Sequence, residues 1–169
     1  MPMSAANPMR VPNLLLRWLL GPVNLQLLRL VMRRPEYRTL RIGQTTFYGP
    51  PEFVRVCEEA MTSLAKVDPQ VYEGLTEGYR YVVWYGEHRL SEDLITGVFS
   101  IDDSFLSWGT LGVTARLVEA YHITVLTERK LRNVLSGPDA DKLIGQMKTS
   151  TREWLISHDY PHELTECYI

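Results

Sequence analysis

LGVTARLVEAYHITVLTERKL, residues 111–131, is the longest segment of this chain whose pattern predicts one buried helix. Ser107 or Thr110 is suited to cap its start. Glu119 and His122 lie on this helix one turn apart and project within about 60° of each other, so a carboxylate and an imidazole can address one point. The apolar residues that recur at helical spacing are Val113, Leu117, Val118, Tyr121, Val125 and Leu126.

The composition is that of one globular domain. A chain of 169 residues, 45% of them hydrophobic, can bury a full core. The net charge of −2 gives no general attraction for nucleic acid, and we expect no nucleic-acid partner. Cys57 and Cys167 form neither a disulfide framework nor a zinc-knuckle spacing, and residues 1–13 lack a secretory signal. These features predict a cytoplasmic protein.

The amino-terminal part is basic and rich in leucine. Residues 1–41 hold seven arginines against the single acid Glu36. Arg17, the Gly21-Pro22 break and Arg29 interrupt the apolar run, so it does not predict a membrane-spanning helix. Instead, it predicts two short amphipathic helices hinged at Gly21-Pro22.

These amphipathic helices can bind to either of two kinds of surface, a protein or a membrane. They can pack on the domain or on another subunit of a larger assembly. Alternatively, residues 10–34 can lie peripherally in a membrane interface, with Trp18 at headgroup depth and the arginines toward anionic lipid. We assign residues 1–36 to a basic helical extension and residues 37–169 to a single domain.

The rest of the chain alternates helical and strand patterns, which predicts an α+β domain: a small antiparallel or mixed sheet packed against the central helix. The predicted elements are a hairpin or two strands at 37–48, helices at 52–66 and 68–77, strands at 79–85 and 96–101, a short strand at 105–108, and a last helix at about 139–158 with Leu143, Met147, Trp154 and Leu155 inward. The tail after that helix has no clear pattern.

One motif on the central helix bears on chemistry. With histidine at position 118, residues 118–122 would have the pattern H-E-x-x-H, which supplies two imidazole ligands to Zn²⁺ and a glutamate to deprotonate the metal-bound water. The sequence here is V-E-A-Y-H. Glu119 remains as a candidate general base and His122 as a candidate second ligand.

The order of elements around this motif resembles bacterial zincin-like metallopeptidase domains, in which strands precede a helix that carries H-E-x-x-H. The resemblance covers about residues 37–155. In that pattern a later helix carries an acidic residue followed by a glutamine two turns on, which Asp139 and Gln146 match. The resemblance thus implies a zincin-like fold, with Asp139 as a third metal ligand.

Valine at position 118 breaks the one specific motif, because it cannot ligate a metal. A surviving site would need a substitute ligand, for which His88, His158 and His162 are available. In the structural alternative, His122 is a partly buried imidazole with a hydrogen-bond partner and Glu119 pairs with Arg116 or Lys130. In a third alternative, Glu119 and His122 act as acid and base without a metal, with Tyr121 or Tyr85 nearby.

Three other features have structural interpretations that we prefer. Asp102 and Asp103 form a turn with Ser104 more readily than a cation site. Residues 87–93 are a solvated charged loop, and a lid only if they fold over Glu119. Cys57 lies on the inward stripe of its helix and is expected to act as a small hydrophobe.

The sequence therefore favours a pseudoenzyme, a catalytically degenerate zincin-like domain that serves as a non-catalytic binding or assembly subunit. It would dock to a protein partner or a membrane surface through its amino-terminal helices. We expect no resident cofactor, or zinc if a site survives on His122 and Asp139. The alternative is an enzyme that uses Glu119 and His122, either a metal-dependent hydrolase or peptidase or a metal-free acid–base catalyst.

Overall fold

A computed structural model describes residues 35–84, 98–128 and 138–169 of the chain. The predicted amino-terminal extension, residues 1–36, lies almost wholly outside the described residues. The charged loop at 87–93, with His88, and Tyr85 also lie outside them. None of the helices in the described ranges has the length and apolar character needed to cross a bilayer.

Four strands form one mixed sheet, ordered β1-β2-β3-β4. β1 and β2 are antiparallel around the Gly43-Gln44 turn, which confirms the predicted hairpin, whereas β2, β3 and β4 are parallel to one another. The strands are β1 (Arg38–Ile42), β2 (Thr45–Gly49), β3 (Tyr81–Trp84) and β4 (Val98–Ile101).

Helices connect β2 to β3, follow β4 and form most of the rest of the described fold. They are α1 (Pro51–Val67), α2 (Pro69–Gly78), α3 (Asp103–Leu106), α4 (Gly109–Glu128), α5 (Pro138–Ser157) and α6 (His162–Thr165), followed by a 3₁₀ turn (Glu166–Tyr168). Proline opens α1 and α2, because a first-turn residue needs no backbone N–H. The predicted α+β class and mixed sheet are confirmed.

The central helix, α4, is buried on all sides through its first half. Every residue from Gly112 to Ala120 is buried, and α1, α2, α3 and α5 pack around it. The predicted inward residues Val113, Leu117 and Val118 have no exposed surface. Because this helix is covered on every face, its polar side chains also lie inside the core. The Glu119 part of the candidate site is therefore buried.

Two local predictions are wrong. Residues 105–108 are not a strand: Asp102 caps the one-turn helix α3 by accepting from the Ser104 backbone N–H at 3.0 Å. Neither Ser107 nor Thr110 caps α4, which begins at Gly109. The Ser107 hydroxyl donates to the Ser104 carbonyl at 2.8 Å, and the Thr110 hydroxyl donates to Glu59 at 2.8 Å.

Gly112 permits the close crossing of α3 and α4, and Gly145 offers a matched control. A methyl group at Gly112 would lie 2.1 Å from the Phe105 carbonyl oxygen, whereas one at Gly145 would meet no atom within 4 Å. We expect Gly112→Ala to lower the free energy of unfolding by about 1–3 kcal/mol through overpacking. Gly145→Ala should raise it by about 0.5–1 kcal/mol through helix propensity. Urea denaturation of both variants tests this, and equal effects would contradict the described helix crossing.

Candidate functional site

The residues singled out by the sequence lie on α4 and α5. Glu119 and His122 are one turn apart on α4, and Val118 occupies the place of the missing ligand with no exposed surface. Asp139 lies in the first turn of α5, but its side chain is outside the described part of the chain. Gln146, its partner in the family pattern, is exposed to solvent.

The Glu119 carboxylate is held by two buried partners. Its Oε2 atom forms an ion pair with the Arg116 guanidinium, one turn earlier on the same helix, and accepts a hydrogen bond from the Tyr168 hydroxyl at 3.1 Å. The side chains of Arg116 and Glu119 are 2% and 10% exposed. The pairing of Glu119 with Arg116, one of the structural alternatives in the sequence, is therefore present.

Aromatic rings enclose the Arg116 guanidinium. Its central carbon lies 4.5 Å from the ring centroid of Phe99 on β4 and 5.5 Å from that of Phe105 on α3. A guanidinium over an aromatic face gains cation–π attraction, which increases when water is absent. The charge is thus stabilised by the rings as well as by Glu119.

Two buried tyrosines complete this cluster as neutral hydrogen-bond donors. The Tyr79 hydroxyl donates to the Ala120 carbonyl at 2.9 Å, and burial raises the pKa of Tyr79. Burial raises the pKa of Tyr168 as well, and the neighbouring Glu119 charge adds to that rise. Both phenols therefore keep their protons at neutral pH and cannot serve as bases.

His122 connects α4 to α5. Its Nδ1 atom lies 3.0 Å from the Thr151 hydroxyl oxygen, and its ring packs against Tyr121 at a centroid distance of 5.4 Å. Burial lowers the pKa of His122, and the negative charge of Asp68 opposes this only in part. The imidazole is therefore largely neutral at pH 7, and Thr151 is the hydrogen-bond partner that the structural alternative expects.

Asp68 joins three helices beside this histidine. It is the N-cap of α2, accepts the Val71 backbone N–H at 3.2 Å through Oδ1, and accepts the Trp154 indole N–H of α5 at 2.8 Å through Oδ2. Both carboxylate oxygens are thus engaged. The sequence pattern gave no signal for this contact, because Asp68 and Trp154 are 86 residues apart.

The other candidate groups also have structural partners or surroundings. Burial raises the pKa of the Cys57 thiol, which disfavours the thiolate that a nucleophile needs. His158 stacks on Trp154 at a centroid distance of 3.9 Å, and exposed His162 lies 3.7 Å from Glu166. Asp103 accepts the Trp84 indole N–H at 2.7 Å. These contacts place each of them in packing or surface roles.

The side chains around Glu119 and His122 do not fit a zinc ion. A tetrahedral site needs three protein ligands that converge on one point. Here Val118 offers no donor and Glu119 faces Arg116 and Tyr168, so only the Nε2 atom of His122, whose Nδ1 contacts Thr151, remains as a ligand. Within the described ranges, no three His, Cys, Asp or Glu side chains come together as a metal-binding group.

A cleft of about 380 Å³ lies along α5 and shares only Tyr168 with this cluster. Its cations already have partners: Lys148 donates to the Ile169 carbonyl at 3.0 Å, and Arg152 lies 3.8 Å from Glu166. Neither Glu119 nor His122 lines the cleft. Its walls are Gly145, Lys148, Thr149, Arg152, Glu153, Ile156, Tyr168 and Ile169.

Comparison of the chain with models of protein families finds no match. Comparisons with curated proteins and with solved structures find no significant match either. Interpretation of the site therefore rests on its own geometry.

The ion pair predicts a structural effect of substitution at Glu119. Glu119→Gln leaves the buried Arg116 charge uncompensated, and we expect the free energy of unfolding to fall by about 3 kcal/mol. Tyr168→Phe removes one hydrogen bond and should cost about 1 kcal/mol. Replacing both charges together, as Arg116→Met with Glu119→Leu, should recover most of the loss. Denaturant titration measures all three, and a Glu119→Gln protein as stable as the unsubstituted protein would contradict this role.

The lowered pKa of His122 predicts how the free energy of unfolding depends on pH. Because burial lowers the pKa of His122 in the folded protein, the unfolded chain binds the proton first as the pH falls below 6.5. The free energy of unfolding should therefore decrease over that range and be regained as the pH rises. His122→Gln should flatten this slope, while His162→Gln, at an exposed histidine, should leave it unchanged. Identical slopes in all three proteins would rule out the contribution of His122.

Proposed function

We propose that this chain is a non-catalytic binding or assembly subunit built on a degenerate zincin-like domain. The observation that carries the proposal is the position of the Glu119 carboxylate between the Arg116 guanidinium and the Tyr168 hydroxyl. A general base must reach the proton of a water or substrate within hydrogen-bond distance. A carboxylate that compensates a buried arginine cannot take up a proton without leaving that arginine unpaired.

The other positions of the motif support the same proposal. Val118 is packed in the core at the place of the first ligand, and the His122 ring nitrogen lies beside Thr151. The helix that would carry catalysis in the related domains thus contributes its polar side chains to the core. If Glu119 were the base of an enzyme, Glu119→Gln would abolish turnover and leave the fold intact. We expect instead that Glu119→Gln destabilises the fold.

Docking is assigned to residues 10–34 on the basis of charge. This segment is basic, whereas the chain as a whole has a net charge of −2. Gln26, Arg29 and Arg33 recur at i, i+3 and i+7 and would share one face of a helix. Such a face is suited to an acidic surface of another subunit or to anionic lipid headgroups.

Charge reversal on this face tests the proposal. Arg29→Glu with Arg33→Glu is compared with Arg55→Glu with Arg152→Glu, which makes the same charge change at exposed or half-exposed sites of the described domain. Sedimentation velocity measures self-assembly, and flotation with phosphatidylserine vesicles measures lipid binding. Near a membrane each arginine contributes about 1 kcal/mol, so the first pair should weaken vesicle binding by about thirtyfold.

The control pair should retain whichever association the unsubstituted protein shows. Loss of assembly alone would identify a protein surface as the docking site, and loss of vesicle binding alone would identify lipid. If the unsubstituted protein neither assembles nor binds vesicles, or if both pairs behave alike, docking through residues 10–34 is wrong.

A further inference from the structure

The cleft along α5 lies between one side of that helix and the end of the 3₁₀ turn. Gly145, Arg152 and Ile156 recur at intervals of seven and four residues, so they share the side of α5 that faces the cleft. The facing wall consists of Tyr168 and Ile169.

Contacts within the protein hold both walls in place. Tyr168 is buried, its ring centroid lies 6.3 Å from that of Phe105, and its hydroxyl donates to Glu119 at 3.1 Å. Lys148 donates to the Ile169 carbonyl at 3.0 Å, which joins the two walls. A volume of about 380 Å³ is within the range of small-molecule sites, so the cleft has the size and the fixed walls that a ligand needs.

The two cations of the cleft retain donors that no described group accepts. Lys148 has three ammonium hydrogens and uses one of them on Ile169. The 3.8 Å from Arg152 to Glu166 is longer than a hydrogen bond, and the buried Nε atom of Arg152 has no hydrogen-bond partner among the described residues. Because a buried donor without an acceptor is unfavourable, an anion in the cleft would supply what this guanidinium lacks.

The wall residues define the class of anion. Lys148 and Arg152 against Glu153 leave one positive charge, which a monoanion neutralises and a dianion exceeds. A carboxylate matches the guanidinium in shape and accepts two of its N–H groups at once. Ile156, one turn beyond Arg152, is 54% exposed, and Ile169 is 71% exposed. Apolar side chains beside the cations favour a ligand with an aliphatic tail.

We propose that the cleft between α5 and Tyr168–Ile169 binds a small aliphatic monocarboxylate. Its carboxylate pairs with Arg152 and Lys148, and its tail lies on Ile156 and Ile169. Glu166 competes with the ligand for Arg152, since it is the nearest carboxylate to that guanidinium. The inference goes beyond the proposed function and does not depend on docking through residues 10–34.

Isothermal titration calorimetry of the full chain with octanoate tests the charged part of the site. Arg152→Gln should weaken binding by about tenfold or more, because it removes charge-assisted hydrogen bonds. Lys142→Gln removes an exposed cation of the same helix that lies outside the cleft, and it should leave the affinity unchanged. Glu166→Gln removes the competing carboxylate and should strengthen binding by about two- to fivefold.

Substitution at Gly145 tests the location of the site without changing a charge. A methyl group built on Gly145 meets no atom within 4 Å, so a larger side chain has room to extend into the cleft. Gly145→Leu should therefore abolish octanoate binding by filling the space, while Gly145→Ala should retain most of it. Melting temperatures of all variants identify any that fail to fold.

The neutral analogue 1-octanol should bind at least tenfold more weakly than octanoate, because it lacks the charge. Equal affinities for the two, no octanoate binding at millimolar concentration, or equal effects of Arg152→Gln and Lys142→Gln would each overturn the proposal. Unchanged binding in Glu166→Gln would do the same, since the carboxylate would then not reach Arg152. If Arg152→Gln does not fold, the Gly145 pair decides: equal affinities in Gly145→Leu and Gly145→Ala place any binding outside the cleft.

Discussion

The Arg116 guanidinium is buried, with 2% of its side chain exposed, and much of the described fold is arranged around that constraint. It lies on a helix that is covered on every side from Gly112 to Ala120. Its charge is therefore stabilised from within, by the Glu119 carboxylate and by the faces of Phe99 and Phe105. These partners come from β4, α3 and α4, so one buried charge ties the sheet to the helices.

The same constraint separates the two roles that Glu119 can have. A catalytic carboxylate must be free to gain and lose a proton beside its substrate. A carboxylate that neutralises a buried arginine must stay ionised, since a buried charge without a partner costs several kcal/mol. The hydrogen bond from Tyr168 favours the second role, because it is made to the same Oε2 atom of Glu119 that pairs with Arg116. In this chain the helix that carries V-E-A-Y-H forms the centre of the core.

Sequence periodicity predicted the hairpin, α1, α4 and α5, because each extends over enough residues to show its period. It failed at residues 105–108, because four residues are too few to show a period and the Asp102 cap favours a helix over Asp103–Leu106. The Arg116–Glu119 pair is local, and the structural alternative named it as one of two pairings of Glu119, the other being with Lys130. Periodicity missed Tyr168, Thr151 and the Asp68–Trp154 bond, because contacts between residues far apart in sequence leave no local pattern.

The hydrogen bond between Tyr168 and Glu119 has a consequence for biosynthesis. Glu119 and Arg116 are added to the growing chain well before Tyr168, which follows Glu119 by 49 residues. During that interval the growing chain can form its hairpin and helices, but the core around Arg116 lacks its last donor and the ring that packs on Phe105. This core can therefore close only after Tyr168 has left the ribosome, and until then the nascent chain holds its two central charges without their last hydrogen-bond donor.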